Sequence, residues 1–453
     1  MKKPKYLDIY EQFKKMIFQG LYQENQKLPS KRKLADNLKV SPLTVEAAYM
    51  QLIAEGYIYA IEKRGYFVAK RVELMMEHDA TEHSFSKPKD KEQYAFNFET
   101  NVVDTTLFPN ATWAKLSREV ISENHHEMLN QTPPQGLLEL RLEIAKYLEL
   151  YRQINIHPEQ IIIGSGSTSL ISMLVELLGR HLNYAVEQPG YKKIEQLLKA
   201  QDVNLDYAAI DRMGLSVDHL MNKKIDVIHV TPSHQFPTGI VMPISRRAEL
   251  LNWALEHHAY IIEDDYDSEF RFQGKPIPAL QGLDQNDRVI YMNTFSKSLA
   301  PSFRISYMVI PRHLLSRYHE MSSYHSCTVP TFEQYVLYKF MNGGYFERHI
   351  NRMRNHYREK LEMIRDLMSS EPWIKLHGDE AGLHFLMELE YGLNEEEIEK
   401  RLHEHHLHAV VLNKKYRQLL YEHPCLVIGY SGLQKDEIKK AFNSLLQSIK
   451  PLI

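Results

Sequence analysis

The chain has 453 residues, of which 43% are hydrophobic and 25% charged, and its formal net charge is −3. Such a length exceeds what one core ordinarily fills, and the composition is that of a globular protein, so two or more domains are expected and fibrous or disordered classes are excluded. Its two cysteines, Cys327 and Cys425, show no CxxC spacing, which argues against a disulfide framework or a metal site.

The N-terminal stretch MKKPKYLDIYEQF lacks an apolar core of signal-peptide length, and no apolar run is long enough to span a membrane. A cytoplasmic protein with no membrane partner is expected. Residues 1–71 carry a net charge of +7 and the rest of the chain −10. A basic head joined to an acidic body suits nucleic acid on one part only.

Within the head, LPSKRKLADNLKVSPLTVEAAYMQLIAEGYI predicts two helices separated by a short turn. Ser30 caps the first, with Leu34, Ala35 and Leu38 facing inward. Ser41 caps the second, and Pro42 stands at its first position, where a missing N–H costs little. Val45, Ala48, Leu52 and Ile53 then recur at helical spacing until Gly56 stops the helix. IYAIEKRGYFV alternates around Glu62 to Gly65 as a hairpin with a basic tip. The sum is a winged helix-turn-helix over residues 1–70. Candidate DNA contacts are Lys31 and Arg32 near a helix start, Ser41, Thr44 and Tyr49 on the second helix, the last two on its outer face, and Lys63 and Arg64 at the hairpin tip.

LPSKRKLA and EGYIYAIEKRGYFV resemble the winged-helix domain of the GntR family of bacterial regulators, which implies a double-stranded DNA operator as partner. Where many members carry arginines in S-R-x-T-V-R, this chain has Pro42 and Glu46. Base contacts by those arginines therefore do not transfer.

Residues 71–95 are polar, charged and without period, as in a linker. Over 96–453, short β-rich runs alternate with helical ones, predicting an α/β domain on a mainly parallel sheet. Four of those runs end in polar residues: III before GSGSTS, DVIHV before TPSHQFPTG, YIIE before DDYDSEF, and VIYM before NTFSK. Ligands of open α/β sheets lie beyond the carboxyl ends of strands, so the four junctions are expected to converge. Lys297 there suits a Schiff base to an aldehyde, Asp264 a protonated ring nitrogen, Tyr266 a ring hydroxyl and Tyr191 ring stacking. Ser167 and Thr168 open a helix suited to phosphate, with Thr294, Ser296 and Arg304 as further donors. Together they describe a pyridoxal 5′-phosphate site.

PPQGLLELR, GSGSTS, EQPGY, TPSHQFPTG, EDDYDSEF and TFSKSLAPSFR resemble, in order, the fold-type I aminotransferases. Head and body together resemble the MocR subgroup of GntR regulators, which includes the GABA-responsive regulator. That resemblance implies a head-to-tail homodimer whose sites are completed by the neighbouring subunit.

Two departures stand out. Phe236 replaces an asparagine that would contact the cofactor's ring oxygen, and Gly432 in LVIGYSGL stands where a late arginine clamps the substrate carboxylate. Lys192 and Lys193 are candidate anion contacts, although two lysines after a turn ordinarily face solvent. Three readings follow: a sensor of an amino compound or of pyridoxal phosphate itself, a working aminotransferase, and a cofactor-free scaffold. The intact lysine, aspartate and phosphate residues disfavour the scaffold and Gly432 disfavours the enzyme. The sensor is the expectation, with the aminotransferase as the alternative.

Overall fold

The computed structural model describes residues 5–70, 94–100, 102–123, 126–272, 274, 277–390, 392–418 and 420–450. The expected linker, 71–95, falls almost wholly outside the described residues. The chain divides into two compact units, Met1–Asp90 and Lys91–Ile453.

In the smaller unit, α1 (Lys5–Phe18) and α2 (Lys31–Leu38) pack on α3 (Pro42–Ala54), and a hairpin of β1 (Ile58–Ile61) and β2 (Gly65–Val68) follows. Ser30 and Ser41 accept from the amides of Lys33 and Thr44, satisfying helix-start donors that would otherwise lack partners. Ile9, Phe13, Leu34, Val45, Leu52 and Val68 share one core.

Two expectations about facing are corrected here. Tyr49 is not on the outer face of α3: it is 0% exposed, packs edge-on against Tyr66 with ring centroids 4.8 Å apart, and donates its hydroxyl to Pro29 O at 3.0 Å. The reason is helical phase, since position 49 lies four residues after Val45 and three before Leu52, both buried. Leu38 is not inward but 38% exposed, because it ends α2 where Lys39 turns the chain through left-handed φ of 51°.

The larger unit is built on an eight-stranded sheet. Its strands are β3 (Ile161–Gly164), β4 (Asn183–Gln188), β5 (Asn204–Asp211), β6 (Gly214–Leu215), β7 (Val227–Val230), β8 (Tyr260–Asp264), β9 (Val289–Thr294) and β10 (Ser306–Val309), in the order β3-β10-β9-β8-β7-β4-β5-β6. The five strands from β9 to β5 run parallel, and β3 runs in their direction because two antiparallel pairings through β10 separate it from β9. Buried runs such as Ile161–Ile163 and Val227–Val230 explain this arrangement, since a sheet covered on both faces needs no polar alternation. The carboxyl ends of β3, β7, β8 and β9 therefore lie along one edge.

A smaller antiparallel sheet, β11 (Ile374–His377), β12 (His384–Leu389), β13 (Val410–Val411) and β14 (Cys425–Gly429), runs in the order β11-β12-β14-β13. It shares a core with α5 (Tyr345–Met368) and α6 (Ile438–Ile449), while α4 (Ser167–Leu178) packs on the large sheet. Residues just before the first helix of this unit are fastened to that smaller layer. Gly429 N donates to Phe98 O at 2.8 Å, Ser431 Oγ to Val102 O at 2.5 Å, and Asp104 N to Tyr357 Oη at 3.1 Å.

Candidate functional site

All four strand-end junctions line one cavity of ≈ 230 Å³. Gly166 and Ser167 come from the turn after β3, Thr231 and Phe236 from the loop after β7, Asp264, Tyr266 and Asp267 from the end of β8, and Thr294, Ser296 and Lys297 from the end of β9. Tyr191 and Arg304 complete the expected set. Thr168 does not line the cavity; it sits one residue further into α4, in the helix's first turn.

At one end, the N-terminus of α4 lies beside the Arg304 guanidinium. Gly166 precedes that helix with φ of +93°, and a Cβ there would fall 2.4 Å from Arg304 Nη2, so the close approach requires glycine. Arg304 in turn donates to Ser165 O at 3.2 Å. Thr294 Oγ1 donates to Ser296 Oγ at 2.9 Å and accepts from Ser306 Oγ at 2.8 Å, which leaves the Ser296 proton unused within this group. A helix start, a guanidinium and a serine hydroxyl form a donor set that fits a phosphate dianion.

Further along the edge, Asp264 ends β8 with His229 Nε2 3.4 Å from its Oδ2, and both side chains are at least 90% buried. A buried carboxylate can hold a proton on a facing ring nitrogen. Lys297 lies one turn beyond β9, and burial lowers its ammonium to about 8 against the opposing charges of Asp267 and Glu99. Its Nζ donates to Thr100 O at 2.6 Å. A lysine so lowered has a substantial neutral fraction near neutrality, the form that attacks a carbonyl. Tyr266 is half-buried, and its hydroxyl donates to His234 O at 2.8 Å. Phe236 contacts Tyr191 edge-on, with centroids 5.3 Å apart.

Several lining residues escaped the sequence reading. Thr100 and His384 arrive from segments remote from the strand ends; Lys193, one of the two lysines named as candidate anion contacts, does line the cavity while remaining exposed. His384 is 2% exposed, its Nε2 has no hydrogen-bond partner, and burial together with the neighbouring His234 and Lys297 lowers its pKa well below the usual histidine value. His234, Asp267 and His384 lie close enough to share an ion, but His234 Nδ1 already bonds Asp267 Oδ2 at 3.0 Å. Gly432 is absent from the lining; a Cβ at that position would fall 2.6 Å from Val102 Cγ1.

On the smaller unit, Arg32, Ser41, Lys63 and Arg64 are exposed, while Lys31 and Thr44 are half-buried. Lys31 pairs with Glu46, and Ser41 Oγ and Thr44 Oγ1 lie 2.8 Å apart. The outward face of α3 carries Leu43 and Met50, 75% and 59% exposed, where Tyr49 was expected.

The aminotransferase class I and II family model matches residues 95–445, and that of the bacterial regulatory proteins of the gntR family matches 5–68. An uncharacterized HTH-type transcriptional regulator of Bacillus subtilis, YhdI, is 37% identical over 100% of this chain and 97% of its own. The chain belongs to the GntR-type transcriptional regulators that carry an aminotransferase class I and II domain. Another similar regulator is the HTH-type pyridoxine biosynthesis transcriptional regulator PdxR of Corynebacterium glutamicum, 31% identical over 84% of this chain and 82% of that one. The fold of the larger unit is that of the multiple substrate aminotransferase of Thermococcus profundus, with a TM-score of 0.70, 23% identity and coverage of 80% of this chain and 92% of that one. Among the described residues, no helix is long and apolar enough to cross a membrane.

Proposed function

We propose that this regulator holds pyridoxal 5′-phosphate covalently through Lys297, and that occupancy of the cavity by the cofactor, alone or with an amino compound, changes the affinity of the head for its operator. The observation that carries the proposal is the placement of Lys297, with its lowered ammonium, in one cavity with Asp264 and the donor set at the start of α4. Bound there, the cofactor would supply an aldehyde that captures amines reversibly. The chain's own residues divide the remaining work. Ser167, Ser296 and Arg304 anchor the phosphate, Asp264 keeps the ring nitrogen protonated, and Tyr191 and Phe236 bound the ring. Lys193, exposed at the cavity, is the cation available to an anionic group on a ligand. The likeness to PdxR favours the cofactor itself as one signal. The functional form in this proposal is a head-to-tail homodimer.

The test is absorption spectroscopy of purified protein titrated with pyridoxal phosphate, followed by borohydride reduction and peptide mapping. Label on Lys297, lost in Lys297→Ala, supports the proposal; label on another lysine, or none, overturns it. Operator binding measured on the same preparation with and without cofactor tests the coupling.

A further inference from the structure

We infer that α3 reads its operator through thymine methyl groups rather than through hydrogen bonds to base edges, with Leu43 and Met50 as the specificity-determining residues. The inference rests on the regulator reading and adds the chemistry by which the DNA is recognised. Leu43, Ala47 and Met50 follow one another at i, i+4 and i+7, which places them on one stripe of the helix, and all three are exposed. The opposite stripe, Val45, Ala48, Tyr49 and Leu52, is the one buried against the rest of the head.

The polar side chains around that outward stripe are already engaged within the head. Ser41 and Thr44 bond each other, Glu46 pairs with Lys31, and Gln51 Nε2 donates to Glu55 Oε1 at 2.6 Å. No arginine or asparagine occurs in α3. The stripe itself, Leu43, Ala47 and Met50, is apolar, and the one apolar feature it can meet in the major groove is the thymine C5 methyl. Charge identifies the occupant as DNA rather than an apolar protein surface. The stripe lies on a unit of net charge +7 over residues 1–71, with Arg32, Lys63 and Arg64 exposed on it. Those cations supply sequence-independent attraction to phosphates, while the stripe discriminates among bases.

The experiment selects duplexes from a random library with the full-length protein, then replaces each thymine of the selected site by deoxyuridine. That change removes the methyl and leaves the pairing intact. At two or more positions the affinity should fall about fourfold per methyl, as expected for one buried methyl-sized group. In Leu43→Ala or Met50→Ala the uracil penalty should shrink at the matching position, with the salt dependence of binding unchanged because no phosphate contact is lost. Both side chains are exposed, and circular dichroism of each variant verifies the fold. Equal binding of thymine and uracil duplexes at every position, or a penalty undiminished in both variants, overturns the inference while leaving the regulator reading intact. Failure to enrich any duplex over the random pool would overturn both.

Discussion

At the scale of single residues, Lys297 and Gly432 carry the argument. Burial brings the Lys297 ammonium to about 8 from an ordinary 10.5, so its neutral, nucleophilic form is populated more than two units earlier in pH than on a free lysine. Attachment of pyridoxal phosphate to cofactor-free protein should therefore accelerate with rising pH and reach half its limiting rate near pH 8. Stopped-flow absorbance across a pH series measures this, and a rate still climbing steeply through pH 10 would refute the lowered value. Gly432 shows how a missing side chain can be a packing feature. An added Cβ would meet Val102 Cγ1 at 2.6 Å, so Gly432→Ala should destabilise the larger unit by about 1–3 kcal/mol through overpacking. Val102→Ala in the same chain should recover most of that loss. A double-mutant cycle by thermal unfolding decides it, with additive effects contradicting the contact. The same contact makes Gly432→Arg a poor route to an aminotransferase, because the side chain would start against Val102.

At the scale of elements, the residues before the first helix of the larger unit are tied from both directions. Lys297 donates to Thr100 O, and the buried Lys360 of α5 donates to Asp104 Oδ2 at 2.8 Å and to Leu433 O at 2.6 Å. Burial alone would raise the Asp104 carboxyl, but hydrogen bonds from Lys360 and Thr106 outweigh it and hold it at about 2, below the ordinary 3.8. The sign follows: the carboxylate stabilises the fold fully above pH 4 and ceases to do so as pH falls toward 2. Asp104→Asn should cost about 3–5 kcal/mol at neutral pH, since Lys360 would keep a buried charge without its counter-ion. It should also flatten the loss of stability between pH 4 and 2, which chemical denaturation at several pH values would register. These ties were illegible in the sequence because they join positions 73 to 256 residues apart, with no local pattern to mark them. The strand-end site was legible for the opposite reason: each apolar run halts abruptly at its polar residue, and the sheet brings the halting points together. Tyr49 was misplaced because its polar hydroxyl suggested an outward face, although it shares the helical phase of Val45 and Leu52, which the sequence spacing had already placed inward.

At the scale of the whole molecule, the separation of charge between a head of +7 and the remainder at −10 sets what can be expected of binding. Phosphate contacts release counterions, so operator affinity of the full chain should fall steeply and log-linearly with salt, and Arg64→Ala should lower the slope by about one contact while weakening all sequences alike. The cavity enters only through linkage. If the cofactor or an amine favours one arrangement of the heads, operator affinity must change with ligand, and ligand affinity must change with operator by the same factor. A coupling of about 1–3 kcal/mol is typical of such two-site systems, corresponding to roughly a five- to 150-fold change in operator affinity. On the resemblance that aligns Gly432 with the arginine by which aminotransferases fix a substrate carboxylate, turnover should stay low, since a misplacement of about 1 Å costs on the order of a hundredfold in rate. Operator titrations with and without pyridoxal phosphate, repeated over a panel of amino acids and amines, would be run beside assays for keto-acid formation on the same protein. Coupling with little multiple turnover is the expected result. Rapid transamination with operator affinity indifferent to cofactor and amine would show that the larger unit works as an enzyme rather than as a sensor.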